Sequence, residues 1–306
     1  MTPQLILDLQ ASEYHSRPEY SQSQIKLLPD HPKEFYVRYV RMPVESRWTF
    51  KTTPAMELGT TLHSVLLDKQ PLKIIPQDVL SANGAKVGKK WKDYLAANID
   101  NPGVNESETY TIRAMADACR EDEVIRGILD NEGPVEATII HRDEEFGIDL
   151  RHRLDKVVTL DDGYIVADLK TMSVDVTSEF EVAKQIYSFG YHKQAAAYSD
   201  AAEKVYGNPP KAFVLLCVET DIPFNAVAWS LSQDAINQGM FEFRTALQDL
   251  RTRLDSGNWS NGLSNKLNTI DLPDWVYRSN PEPVHVNPFS EFDGLDGTIT
   301  TITVTQ

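Results

Sequence analysis

Three short segments in the middle of the chain carry side chains that could do chemistry together. Glu136 lies in VEATIIHRD, Asp155 near the end of FGIDLRHRLDKVVTL, and Asp168 with Lys170 at the end of GYIVADLKT. Carboxylate oxygens are hard ligands, and three of them gathered at one edge of a sheet could share a Mg²⁺ ion. In Asp168-Leu169-Lys170 the i, i+2 spacing puts the carboxylate and the ammonium on one face of a strand and Leu169 on the other. A run that is apolar through YIVA should continue apolar, and instead it ends on two opposite charges side by side. Taken alone, the pair also reads as a strand-end salt bridge, worth about 0–1 kcal/mol when exposed.

Other groups could join them. His63 stands one turn after Gly59 in MELGTTLHSVLL, on a predicted helix whose glycine could admit another backbone. Singly it reads as a partly buried structural histidine. Gln194 and Tyr198 are i, i+4 on a helix otherwise made of Ala195, Ala196 and Ala197, so both polar tips point one way. Lys86, Lys89, Lys90 and Lys92 surround Trp91, combining charge with an aromatic that could stack on an end base, or forming the solvated start of a helix. Arg151 and Arg153 alternate on the strand of Asp155 and share its face, where they could contact phosphates or pair with neighbouring carboxylates.

The elements that must position these groups follow from periodicity. Residues 1–132 read as helical: Ser21 can cap SQSQIKLL, HPKEFYVRYV follows Asp30, and AMELGTTLHSVLLD has an apolar side. Residues 71–84 are loop, and KVGKKWKDYLAAN and ETYTIRAMADACREDEVIRGILD each read as a helix. At Gly133-Pro134 the period changes to three short β-branched runs, a meander. Helices return in EFEVAKQIYSFG and YHKQAAAYSDAAEKVYG, two strands follow in KAFVLLCVE and NAVAWSLS, and a long helix runs from Gln233 to Leu254. This order predicts an α/β (α+β) fold, a mixed sheet flanked by helices rather than repeated βαβ units. A single domain is expected over 1–280, its catalytic sheet and helices in 133–280. Residues 281–306 read as a loosely ordered acidic tail containing Glu282, Glu291, Asp293 and Asp296.

Composition narrows the function. With 306 residues, 41 % hydrophobic and 25 % charged, the chain is an ordinary globular protein. Cys119 and Cys217 are isolated in apolar surroundings and read as reduced, buried thiols. No run of about 18 apolar residues occurs, and MTPQLILDLQASEY lacks a signal peptide's basic start and cleavage site, so a cytoplasmic protein without a membrane partner is expected. Gly84-Ala-Lys-Val-Gly88-Lys89-Lys90 is one residue short of a phosphate loop and lacks its Ser/Thr, and dinucleotide-binding, zinc-protease and serine-hydrolase motifs are missing. The net charge of −15 argues against a protein that coats nucleic acid. It leaves room for one basic face and for a carboxylate cluster whose local charge a divalent ion reverses.

The ordered set G-x-x-x-H, Glu136, R-x-R-x-D, D-x-K and Q-x-x-x-Y resembles the PD-(D/E)XK nucleases, most of all the exodeoxyribonuclease VIII (RecE) type of phages and prophages. The likeness spans about 13–277, from EYHSRPEYSQSQIKLL to LPDWVYR. Leu154 stands where a proline precedes the aspartate in relatives, and Asp168 where many have glutamate. The resemblance implies a restriction-endonuclease-like core and a Mg²⁺-dependent (or Mn²⁺-dependent) enzyme that digests linear double-stranded DNA. Digestion from 5′ to 3′ would leave 3′ single-stranded tails for recombination. It implies that His63, Glu136, Asp155, Asp168 and the Leu169 carbonyl hold one or two ions, that Lys170 positions the attacking water, and that Gln194 and Tyr198 position substrate. A ring-shaped homo-oligomer, such as a tetramer, and a single-strand annealing partner in a bacterial host's cytosol are implied likewise. An endonuclease or junction resolvase of the same superfamily, and a non-catalytic DNA-binding phage protein, stand as alternatives.

Overall fold

Seven strands form one sheet in a computed structural model that describes residues 2–43, 53–98, 102–263 and 267–277. The strands are β1 (Gln4–Ile6), β2 (Tyr20–Ser21), β3 (Val135–Asp143), β4 (Ile148–Leu160), β5 (Gly163–Met172), β6 (Phe213–Glu219) and β7 (Ala226–Ser230). Their order is β1-β3-β4-β5-β6-β7, with β2 lying against β4. β5 and β6 are parallel, as are β2 and β4, and the remaining neighbours are antiparallel. The expected meander is β3, β4 and β5. The crossover from β5 to parallel β6 is made by α8 (Glu179–Phe189) and α9 (Tyr191–Tyr206), because parallel strands need a connection long enough to return the chain to its starting end.

Each face of the sheet is covered by helices whose apolar residues recur at helical spacing. On one face lie α4 (Pro54–Leu66), α6 (Glu106–Glu121) and α7 (Glu123–Asp130). Ile112, Met115, Ala116 and Cys119 of α6 pack there with Leu62, Ala167, Leu169 and Leu216. On the other face α8 and α9 set Val182, Ala195, Ala201 and Ala202 against Leu154, Val166, Leu215 and Cys217. The alanines of α9 let it lie close to the sheet. Across it runs α10 (Gln233–Ser256), begun by a Ser232 cap and ended by Gly257 in the left-handed conformation. Both cysteines are free and buried, and burial pushes each thiol up to about 12.

The first 132 residues are less uniformly helical than expected. β1 and β2 are strands, α1 (Ala11–Ser16), α2 (Gln22–Ile25) and α3 (Pro32–Phe35) are short, and Tyr36–Arg41 winds as a π-helix. Ser21 does cap its helix, in a reciprocal box with Gln24. ETYTIRAMADACREDEVIRGILD is two helices, α6 and α7. Asp122 leaves the helical conformation between them and its carboxylate accepts from Ile125 N. The Lys-rich segment is α5 (Gly88–Ala97). By contacts the chain divides into two units, Met1–Trp259 and Ser260–Gln306, the second containing α11 (Asp274–Tyr277). The acidic tail at 281–306 lies outside the described residues. Among the described residues no helix is long and apolar enough to cross a membrane.

Candidate active site

The site sits where the middle of the sheet loses its regularity. The β3–β4 ladder pairs Val135 with Lys156 and Ala137 with Leu154, but skips Glu136 and Asp155 between them. The β4–β5 ladder stops at Lys156 and Ala167, one step before Asp155 and Asp168. On a regular strand, residues an even number apart share a face. Val135 and Ile139 nevertheless pack on opposite faces, while Leu154 and Val157 pack on the same one. Both strands therefore change face together at Glu136 and Asp155. The cause is visible in the backbone: Glu136 has φ +50°, a left-handed conformation that a residue with a Cβ adopts at a cost. Where the ladder opens, the Asp155 carboxylate substitutes for it by accepting from Leu169 N at 2.9 Å.

Into this opening α4 delivers His63. A Thr53 side-chain cap and Pro54 start the helix, and Leu62 and Leu66 bury its inner face. His63 Nε2 lies 3.1 Å from the Leu169 carbonyl oxygen. A carbonyl can only accept, so Nε2 carries the proton and Nδ1 faces the carboxylates, 3.5 Å from Glu136 and 3.6 Å from Asp155. His63, Glu136 and Asp155 offer ligand atoms that all lie within 4.8 Å of one another. Gly59 does not bring another backbone close: its nearest neighbour across the gap is Thr171 Oγ1, 3.6 Å from where a Cβ would stand.

Asp168 and Lys170 share the face opposite Leu169, as their spacing predicts. Asp168 is buried, ion-paired with Lys170, and accepts from Gln194 Nε2 at 2.9 Å. It is thus next to the three-residue cluster without belonging to it. Lys170 lies over the Tyr191 ring, 4.9 Å from its centroid. Tyr198, one turn beyond Gln194, sets its ring edge-on to His152, and its hydroxyl pKa is pushed well above the ordinary value, first by burial and then by Tyr14 and Asp168.

The charges are crowded. Burial works against a charged imidazole, but Asp155 and then Glu136 outweigh it and push His63 up to about 9. Burial, with Asp168 close by, pushes Asp155 up to about 7. Burial also opposes charge on Glu136, which His63 and Arg153 nevertheless hold below its usual value. Lys170 loses from burial and gains more from Asp168 and Asp155, so it is firmly protonated. Burial and the crowded carboxylates work against charge on Asp155, and the His63 imidazolium and Lys170 ammonium work for it. A divalent cation fits this donor set: two carboxylates and the Nδ1 of an imidazole whose other nitrogen is anchored on Leu169.

Several expected DNA contacts prove to be structural. Arg151 is fully buried and donates to the Arg17 carbonyl at 3.1 Å, so it cannot meet phosphate at the surface. Arg153 pairs with Glu136 at 2.6 Å and donates to the Leu9 carbonyl at 2.7 Å. Both guanidiniums lie over Tyr14, with their carbons 5.0 and 5.4 Å from its ring centroid. The two arginines therefore fasten the N-terminal segment to β4. Lys86 is held between Glu57 and Glu108 at 2.8 and 3.0 Å. Trp91 is buried against Tyr94 and cannot stack on a base. Lys89, Lys90 and Lys92 are exposed, with Lys90 donating to the Asp78 carbonyl. Tyr14 and Tyr191 escaped the sequence reading because neither carries a charge nor recurs at a telling spacing.

The family model described as "PDDEXK-like domain of unknown function (DUF3799)" matches residues 21–271. The chain belongs to this family, and its fold is that of a PDDEXK-like domain, a class whose nucleases use divalent metals. No curated protein matches it. Among solved structures, a protein from Eubacterium rectale described as a "Putative exonuclease" shares the fold at 13 % identity and TM-score 0.55, over 88 % of this chain and 96 % of that one. SSO0001 (12 % identity, 64 % and 88 % covered, TM-score 0.27) and VC1899 from Vibrio cholerae (10 %, 85 % and 60 %, 0.22) are too distant for the likeness to carry structural meaning.

Proposed function

We propose that this chain is a Mg²⁺-dependent exonuclease, with Mn²⁺ able to substitute, that degrades linear double-stranded DNA from 5′ to 3′ and leaves 3′ single strands for annealing, in the manner of the RecE type. The observation that supports it is the meeting of His63, Glu136 and Asp155 at the break in the sheet, with Lys170 alongside. His63, Glu136 and Asp155 hold the ion, and Asp168 joins them if Lys170 yields it; the Leu169 carbonyl, already shared with His63, is an additional ligand. When bound, a divalent cation makes water more acidic and offsets charge on the phosphate. Lys170, kept protonated, positions the attacking water by hydrogen bonding and stabilises the negative charge that develops at phosphorus. Gln194 fixes the Asp168 carboxylate and through it the lysine. Tyr198, next to Gln194 and Asp168, supports this pair. Lys89, Lys90 and Lys92 contact phosphates away from the scissile bond. A ring-shaped homo-oligomer encircling the duplex and a single-strand annealing protein complete the proposal.

The test uses end-labelled linear duplex and covalently closed plasmid with Mg²⁺. Linear DNA should lose its 5′ label first while the closed circle survives, and chelation should stop the reaction. Lys170→Ala should cost at least roughly 10²–10³-fold in rate with the fold intact. Loss of the closed circle in step with the linear form would instead make the enzyme an endonuclease, and full activity in folded Lys170→Ala would move the active site elsewhere.

A further inference from the structure

Burial and pairing of the expected arginines leave open which cation meets the strand at the Lys170 end of the site. Its basic neighbours are Lys193, which pairs with Glu242 at 2.9 Å, and Lys26. We propose that Lys26 anchors a DNA-phosphate subsite beside Lys170, an inference that rests on the nuclease reading above.

Three observations carry it. First, Lys26 is exposed, and among the described residues no carboxylate pairs with it; its charged neighbours are cations. Lys86, Arg153, Lys170 and Lys193 all have carboxylate partners. With cations rather than carboxylates around it, an incoming anion would meet no competing carboxylate at this position. Partial burial, then Lys193 and Lys170, accordingly lower its pKa. Second, the side chain is held in place. Nζ donates to the Phe189 carbonyl at 2.5 Å and lies 5.9 Å from the Phe189 ring centroid. At Gly190, the left-handed residue that joins α8 to α9, an added Cβ would come within 2.9 Å of Lys193 Cε and 3.6 Å of Lys26 Cδ, so the glycine lets both stems converge. Third, the position is continuous with the catalytic lysine. Phe189 stacks on Tyr191 at 5.7 Å and 19°, and Tyr191 carries Lys170 on its ring. An ammonium with two donors to spare, joined to Lys170 through the stacked rings of Phe189 and Tyr191, suits a phosphodiester adjacent to the one being cut.

The test compares full-length wild type with Lys26→Ala, Lys26→Gln, Lys26→Arg and Lys184→Ala, the last on an exposed lysine of α8 outside the site. Binding of a labelled blunt duplex is measured against salt with Ca²⁺ in place of Mg²⁺, and steady-state cleavage with Mg²⁺. Loss of one phosphate contact should lower the slope of log affinity against log salt by about 1. KM should rise roughly tenfold with kcat little changed. Lys26→Gln, which keeps the stem and a donor for the Phe189 carbonyl, should behave as Lys26→Ala does. Lys26→Arg should restore binding, and Lys184→Ala should match wild type. An unchanged slope and KM in Lys26→Ala or Lys26→Gln of native melting temperature overturns the subsite while cleavage by wild type keeps the nuclease reading. An equal loss in Lys184→Ala overturns it as bulk charge. A wild type that binds with the expected Lys26 dependence but cuts nothing keeps the subsite and sinks the nuclease reading, and one that does neither sinks both.

Discussion

Glu136 shows how much of the site depends on one backbone torsion. At φ +50° it lies in a region that costs a residue with a Cβ about 1–2 kcal/mol, and the carboxylate reaches His63 only because the strand twists there. Strain of this kind persists only where the surrounding structure over-determines it, and it clusters at active sites. Removing the carboxylate takes away the partner of Arg153, whereas the strain stays as long as a Cβ remains. Glu136→Gly and Glu136→Ala separate the two effects. Both lose the carboxylate and should lose cleavage. The glycine variant should be the more stable of the two by about 1 kcal/mol in denaturant unfolding, because only glycine occupies the left-handed region freely. Equal stabilities would mean that the backbone relaxes to an extended strand once the side chain is gone.

Among the elements, two glycines in helices have opposite reasons to be there. Gly59 lies inside α4 with ordinary space around it, so Gly59→Ala should raise stability by up to about 1 kcal/mol through helix propensity, with cleavage retained. Gly239 lies where α10 crosses α9, and a Cβ there would stand 2.1 Å from the His192 carbonyl oxygen. Gly239→Ala should therefore push the helices apart and cost about 1–3 kcal/mol or more, which thermal unfolding would report. Nothing in the sequence separates the two residues, since each is a lone glycine in an amphipathic run. What periodicity did reveal were the long elements: the three strands of the meander, α8, α9 and α10, and the shared face of Asp168 and Lys170. Short elements such as β1 and β2 are held by pairing partners over a hundred residues away, which a local pattern cannot register. The face change at Glu136 and Asp155 was hidden for a related reason. Alternation assumes a regular pleat, and the site is built where the pleat fails.

For the whole molecule, the net charge of −15 fits the proposed nucleic-acid substrate, because the proposed chemistry is confined to one opening. The sequence showed which side chains could act there but not which cations were already committed. Arg151 and Arg153 satisfy every local rule for a phosphate contact and are spent on Arg17, Leu9 and Glu136 instead. The same economy of buried charge governs the response of the folded chain to acid. His15 is driven down to about 4 by burial and then by Arg151 and Arg153, and His141 is lowered by burial and then Lys204. His152, stacked on His141 with centroids 5.3 Å apart, is held well below the ordinary value by burial, then by His141, Lys204 and Arg151. Each ring takes up a proton in the unfolded chain near pH 6.5 but in the native fold only at lower pH. Stability from these histidines is therefore complete above about pH 6.5 and falls as the pH drops towards the native values. His152→Phe keeps an aromatic ring among His141, Tyr198 and Phe243 and removes one of these protons. From about one pH unit below 6.5 down towards the native value, its unfolding free energy should decline less steeply than that of wild type, by about 1.4 kcal/mol per pH unit. The comparison is made in chelator, by denaturant melts between pH 7.5 and 4.5. Parallel curves for the two proteins would show that the native ring at 152 takes up its proton as readily as the unfolded one, and that the acid sensitivity of this fold lies elsewhere.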